Sequence, residues 1–228
     1  MPISRIAYTL LSVAIILISI VLHEVAHAWA AYKLGDATAK EQGRLTLNPL
    51  AHLDPMGSVV IPLLMSLAGG FVVGYAKPVP YNPRRLRNPR RDEVLVALAG
   101  PASNLCQALV GAVLYHALYD AGAIDALYTA GVSATVLYGV AYFVVRYTYT
   151  NVMLMFFNLI PLPPLDGSKV LLYFLKGDAK RTYYSIQQYA MPILLIVLWV
   201  LPSYLNIDIV GWILGYTGEP FFNLIMGA

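Results

Sequence analysis

Apolar positions in this chain fall in long runs and show neither strict alternation nor a narrow amphipathic stripe. No charged residue interrupts Ile6 to Leu22, and several later runs approach the ~20 residues that a helix needs to cross a bilayer. The pattern predicts a first helix from about Ile6 to Leu34, closed by Gly35 as a C-cap. A turn-rich stretch from Leu47 to Gly57 follows, then an apolar segment, Ser58 to Val73, interrupted by Pro62 and Gly69-Gly70. Further helices are predicted from about Asp92 to Tyr119, Leu127 to Phe157 and Ser185 to Leu201, with a hydrophobic tail broken by glycine and proline. The expected architecture is an all-α polytopic membrane protein. It is a bundle of about five to six transmembrane helices with a re-entrant or broken segment near residues 58–74. Residues 1–228 are read as one integral-membrane domain, with a core at about 6–175 and C-terminal membrane helices at about 185–228.

Composition sharpens this picture. The 228 residues are 59% hydrophobic and 12% charged, with a mean hydropathy of +0.65; soluble domains carry about 25% charged residues. The single cysteine, Cys106, excludes an intrachain disulfide and a cysteine-based zinc site. A net charge of +3 is not the footprint of a nucleic-acid binder, so no nucleic-acid partner is expected. The basic residues cluster in a few loops, above all Lys77 to Arg91, as suits the cytoplasmic side of a membrane.

Candidate chemistry sits at the inner end of the first run, in His23-Glu24-Val25-Ala26-His27. Residues four apart share a helix face, so His23 and His27 can point at one metal ion. Glu24 lands beside that metal, where it can take a proton from water. Ionisable groups at membrane depth are expensive and are functional candidates by default. Two plainer readings compete: a chance match to H-E-x-x-H, and a signal peptide cut near Ala26-His27-Ala28. A signal peptide, however, has no use for a glutamate and two histidines before its cut site. Asp166, in Asn158-Leu159-Ile160-Pro161-Leu162-Pro163-Pro164-Leu165-Asp166-Gly167, is the natural third ligand. The prolines break the backbone there, and broken backbone at membrane depth is tolerated where it is buried in protein or lines a watery cavity. Two histidines and one carboxylate, with a fourth position left for water, describe a catalytic zinc rather than a structural one.

These residues carry a resemblance. His23-Glu24-x-x-His27 at the end of a membrane helix, with Asn158-x-x-Pro161-x-x-Pro164-Leu165-Asp166-Gly167 far downstream, resembles the site-2 protease family of intramembrane zinc metalloproteases. Gly100-Pro101-Ala102-Ser103-Asn104 is similar to that family's small-residue motif, and Asn48-Pro49 to Gly57 with Lys77-Pro78-Val79-Pro80 to its compact subgroup without PDZ or CBS domains. The resemblance spans about residues 6–175. It implies one Zn2+ per chain held by His23, His27 and Asp166, with Glu24 as the base. It also implies a transmembrane protein substrate cut within the bilayer near its cytosolic side. Alternatives are another membrane-embedded zinc hydrolase, or a metal-ion transporter using intramembrane His, Asp and Glu. A transporter would usually show repeats or a second polar helix.

Topology can be argued from charge together with the need for the ligands to meet at one depth. The basic loop Lys77–Arg91 is expected in the cytoplasm, which brings Asp166 near that side after two crossings. His23 reaches the same depth only if the N-terminus is outside and the first helix runs inward. Both flanks of Ser58–Val73 then lie on one side, hence the re-entrant reading. The expected location is the cell membrane, with the active site toward the cytoplasm. Among other polar residues, His52 reads as a fourth ligand or gate, or as a loop anchor. Asn104 reads as an interhelical contact or a group touching substrate backbone. Asn158 could bond the substrate strand or the developing oxyanion, or brace its loop. Arg146 could face the site or an interface. Oligomeric state is not legible.

Overall fold

The computed structural model describes residues 5–54 and 77–227. The segment expected to be re-entrant, near 58–74, lies outside the described residues. Those described are helical or irregular, with no strand among them.

Helix α1, Arg5–Lys33, is uninterrupted by glycine or proline and stops where Gly35 adopts a φ of 111°. The Asp36 amide then donates back to Ala31 O at 2.9 Å, satisfying a terminal carbonyl. A short helix α2, Thr38–Glu41, leads to a loop carrying a 3-10 turn at Pro49–Ala51. The chain re-enters the described structure at Lys77, whose amide donates to His52 O at 2.8 Å. Helix α3 is Pro89–Tyr119 and begins three residues before the expected Asp92. The missed start signal is Asn88, whose side chain accepts from the Arg91 amide, followed by Pro89 at the first helical position.

The expected single helix from Leu127 to Phe157 is two: α4, Ala123–Thr129, and α5, Ala134–Leu159. Gly131 turns the chain at a φ of 91° and the Ser133 hydroxyl caps the second helix by accepting from Val136 N. Such a cap is worth about 1 kcal/mol. Helix α6, Asp166–Phe174, starts on the expected metal ligand. The helix expected from Ser185 to Leu201 also divides, into α7, Gly177–Gln187, and α8, Ala190–Leu205, bent by 77°. Helix α8 carries a π turn at Ile196–Val200 just before Pro202, whose missing N–H removes a helical bond. The hydrophobic tail is one helix, α9, Ile209–Met226, with Pro220 inside it.

Helix α3 is the hub, packed against α1, α5, α6 and α9. Its buried face is built of Ala97, Gly100, Ala108, Gly111 and Ala112, small residues that let helices approach closely. Exposed Leu10, Val13 and Ile18 on α1 and Leu109, Val110 and Val113 on α3 form an apolar exterior around this core. Among the described residues, two helices are long and apolar enough to cross a membrane, Ala7–Lys33 and Pro89–Tyr119, or three if the bent α7–α8 pair counts as one span.

Candidate metal centre

His23 and His27 lie one turn apart on the buried face of α1. Their rings rest on α3 at Gly100, where the chain has no side chain to spare. A Cβ there would lie 2.6 Å from His23 Nε2 and closer still to His23 Cε1 and His27 Nε2. Asp166 reaches the same point from the first turn of α6. Its placement depends on the break between Leu159 and Asp166 and on Gly167, where a Cβ would collide with Leu159 O and lie 2.7 Å from Ile160 O.

The three side chains meet in a small triangle. His23 Nε2 and His27 Nε2 are 3.0 Å apart, and each is 3.2 Å from Asp166 Oδ2. Tetrahedral ligands at zinc–nitrogen distances of 2.0–2.1 Å stand ~3.3–3.4 Å from one another. The triangle therefore has the size of three corners of such a site. Its chemistry agrees. His27 Nδ1 donates to Val96 O at 2.7 Å, and His23 Nδ1 meets Asn104 Oδ1 at 2.6 Å. With the ring protons on both Nδ1 atoms, both Nε2 atoms present lone pairs, and Asp166 Oδ2 is buried with no donor. Three acceptors facing one another repel unless a cation sits among them. The donor set fits a divalent metal ion, and among the described residues it is the group of His, Cys, Asp and Glu side chains close enough to hold one.

Glu24 is tied to a loop. Its Oε2 accepts from the Val79 amide at 3.0 Å, in the segment Lys77-Pro78-Val79-Pro80. That segment is fastened by Arg44, whose Nη2 donates to Lys77 O at 2.5 Å. A few residues on, the buried Asp36 carboxylate accepts from the amides of Asn82 at 2.5 Å and Thr38 at 3.0 Å. Burial pushes the Asp36 carboxyl up, but these bonds outweigh it and hold it below the usual carboxylate range. Burial and the Glu93 carboxylate, to which its phenol donates at 2.9 Å, hold Tyr81 above the usual phenol range.

Of the other expected residues, Asn104 touches the triangle through His23, and His52, Asn158 and Arg146 are bound elsewhere. Asn104 has no exposed surface; one end of its amide meets His23 and the other donates to Asn151 Oδ1 at 2.8 Å. The His52 ring is buried in its loop and donates from Nε2 to Thr46 O at 2.8 Å. Asn158 donates back to Leu154 O at 3.0 Å within α5. Arg146 is exposed, its guanidinium 5.7 Å from the Tyr149 ring. Sequence reasoning missed Ser19, Gln107, Tyr147 and Asn151, which continue the polar network behind His23. One signal was present: Ser19, His23 and His27 follow one another at intervals of four, on one helix face.

Comparison with known proteins gives the family. Residues 11–201 match the model of peptidase family M50. The chain is 39% identical over 204 residues to the Bacillus subtilis protein named "Putative zinc metalloprotease YwhC", covering 88% of this chain and 84% of that one. It is 30% identical over 230 residues to "Putative zinc metalloprotease Rip2" of Mycolicibacterium smegmatis, covering 100% and 82%. The Rip2 protein of Mycobacterium tuberculosis is 31% identical over 199 residues, covering 87% and 68%. No solved structure matches the chain. The chain belongs to peptidase family M50 and is a zinc metalloprotease of the membrane. The family match runs to residue 201, past residue 175, where the motif-based resemblance ended.

Proposed function

We propose that this protein hydrolyses peptide bonds within the transmembrane segments of other membrane proteins. The observation that carries the proposal is a triangle of His23, His27 and Asp166 at the centre of helices whose outer surfaces are apolar. Water and a metal enclosed by such helices serve a substrate that arrives through lipid.

One zinc ion per chain would be held by His23 Nε2, His27 Nε2 and Asp166 Oδ2. A zinc ion so held would supply Lewis acidity toward a carbonyl and would lower the pKa of water to about 7. Glu24, next to His23, takes the proton of the attacking water and passes it to the leaving amide nitrogen. The bond from the Val79 amide to the Glu24 carboxylate would orient this base. Asn104 orients His23 and His52 braces its loop, while Asn158, at the end of α5, is the remaining candidate for the substrate backbone or the oxyanion. A substrate helix hides its carbonyls in its own hydrogen bonds, so segments rich in weak helix formers are cut most readily.

The protein is a single domain of the cell membrane, and counting α5 and α9 with the spans above gives four or five crossings among the described residues. The N-terminus is outside and the site lies toward the cytoplasm, because Lys33 to Arg44 and Lys77 to Arg91 gather at the end nearest the ligands.

The test is Glu24→Gln in purified protein. Cleavage of a transmembrane substrate should fall by about 10²–10⁴-fold, the contribution of a general base, with zinc content unchanged. Cleavage at the wild-type rate would sink the mechanism, and metal transport without cleavage by either form would favour a transporter.

A further inference from the structure

The polar network behind His23 has a direction that one atom fixes. A backbone carbonyl can only accept, and Tyr147 O lies 2.9 Å from Asn151 Nδ2. That corner of the Asn151 amide is therefore its NH2, and the opposite corner is its oxygen. Asn151 Oδ1 then accepts from Asn104 Nδ2 at 2.8 Å, which leaves Asn104 Oδ1 facing His23. An oxygen 2.6 Å from His23 Nδ1 requires the ring proton there and the lone pair on Nε2. Ser19 Oγ, 2.9 Å from Asn151 Nδ2, takes the second amide proton. Ser19, Asn104 and Asn151 have no exposed surface, so no solvent is at hand to satisfy a flipped amide. His27 needs no relay, because Val96 O sets its tautomer directly.

We propose that Asn151 is a positioning residue for the metal centre. From α5, a helix that carries no metal ligand, it sets the tautomer of His23 through Asn104, with Ser19 as its support. The proposal rests on reading the triangle as a zinc site. Groups that orient a ligating histidine change metal affinity by about 10–100-fold.

The experiment measures zinc affinity by chelator competition, and the visible spectrum of the cobalt(II)-loaded protein, in four forms: wild type, Asn104→Leu, Asn151→Leu and the double variant. Asn151→Leu should weaken zinc by about 10–100-fold and shift the cobalt bands. The double variant should bind no more weakly than Asn104→Leu alone, because Asn151 acts through Asn104. Wild-type affinity and spectrum in Asn151→Leu, or weakening that simply adds in the double variant, would overturn the proposal. Should Asn151→Leu fail to fold, Ser19→Ala serves in its place. It is expected to weaken zinc by about threefold, and unchanged affinity counts against the relay. Loss of the underlying zinc reading would look different: wild type would bind no stoichiometric zinc, or Asp166→Ala would keep it.

Discussion

His23 and Glu24 are adjacent in the chain, yet the protein holds them by opposite means. His23 faces the interior, where Asn104 and behind it Asn151 and Ser19, on three different helices, fix its ring. Glu24, about 100° further round α1, is held by one backbone N–H from an irregular, proline-flanked segment. The first arrangement is cooperative and dry, so each buried group has a partner and a cost if that partner is lost. The second depends on how one loop is fastened at Arg44 and Asp36. Under the proposed mechanism, metal geometry and proton transfer thus rest on separate scaffolds, and each should be breakable without the other.

The largest effect is expected inside. Asp166→Ala removes one corner of the triangle, so zinc affinity should drop by more than the 10–100-fold seen when only a supporting group is lost. Metal analysis that finds full occupancy with activity intact would remove Asp166 from the ligand set. Gly100→Ala comes next. The new Cβ would lie 2.6 Å from His23 Nε2, and both rings are already tied at Nδ1, so neither can give way cheaply. Zinc affinity should fall by about 10–100-fold with helix content retained; wild-type binding would mean that the rings have room that this geometry denies them.

On the loop side the expected signature reverses. Val79→Pro removes the N–H that Glu24 uses and leaves the triangle untouched. Turnover should fall by about tenfold, the scale of one hydrogen bond to a charged group, while zinc content holds. Zinc loss in that variant would show that the two scaffolds are coupled after all. The smallest effect concerns Asp36, whose lowered carboxyl pKa stabilises the folded loop above the ordinary carboxylate range; that stability is lost as pH falls through the folded value. Amide exchange at Asn82 should therefore quicken as pH drops below about 4, relative to intrinsic rates, and Asp36→Asn should flatten the dependence. Equal pH dependence in the two proteins would take Asp36 out of the clamp.

The same division marks what could be read in advance. Two ligands four residues apart on a helix, and a carboxylate in a proline-broken backbone, are side-chain patterns, and the triangle joins those three residues. Asn104 was visible as a polar group among small ones, but its partner was not, because the helix that supplies Asn151 pairs with it through packing rather than spacing. Lys77-Pro78-Val79-Pro80 was visible as a motif, but the bond of Val79 to Glu24 was not: Val79 acts through its amide, which every residue except proline has. Helix boundaries failed where hydrophobicity outvoted punctuation. Gly131 and Ser133 divide α4 from α5, and the apolar letters on either side conceal the turn.

The order of the proposed ligands along the chain has a consequence for synthesis. Two of them lie on α1 and the third at the start of α6, about 140 residues later. At a translation rate of about 5–20 residues per second, a nascent chain spends roughly 7–30 s with His23 and His27 already made and no carboxylate to complete the set. Throughout that interval the growing polypeptide would hold two of the proposed ligands without the third, so the layout of the fold would delay the onset of its own activity.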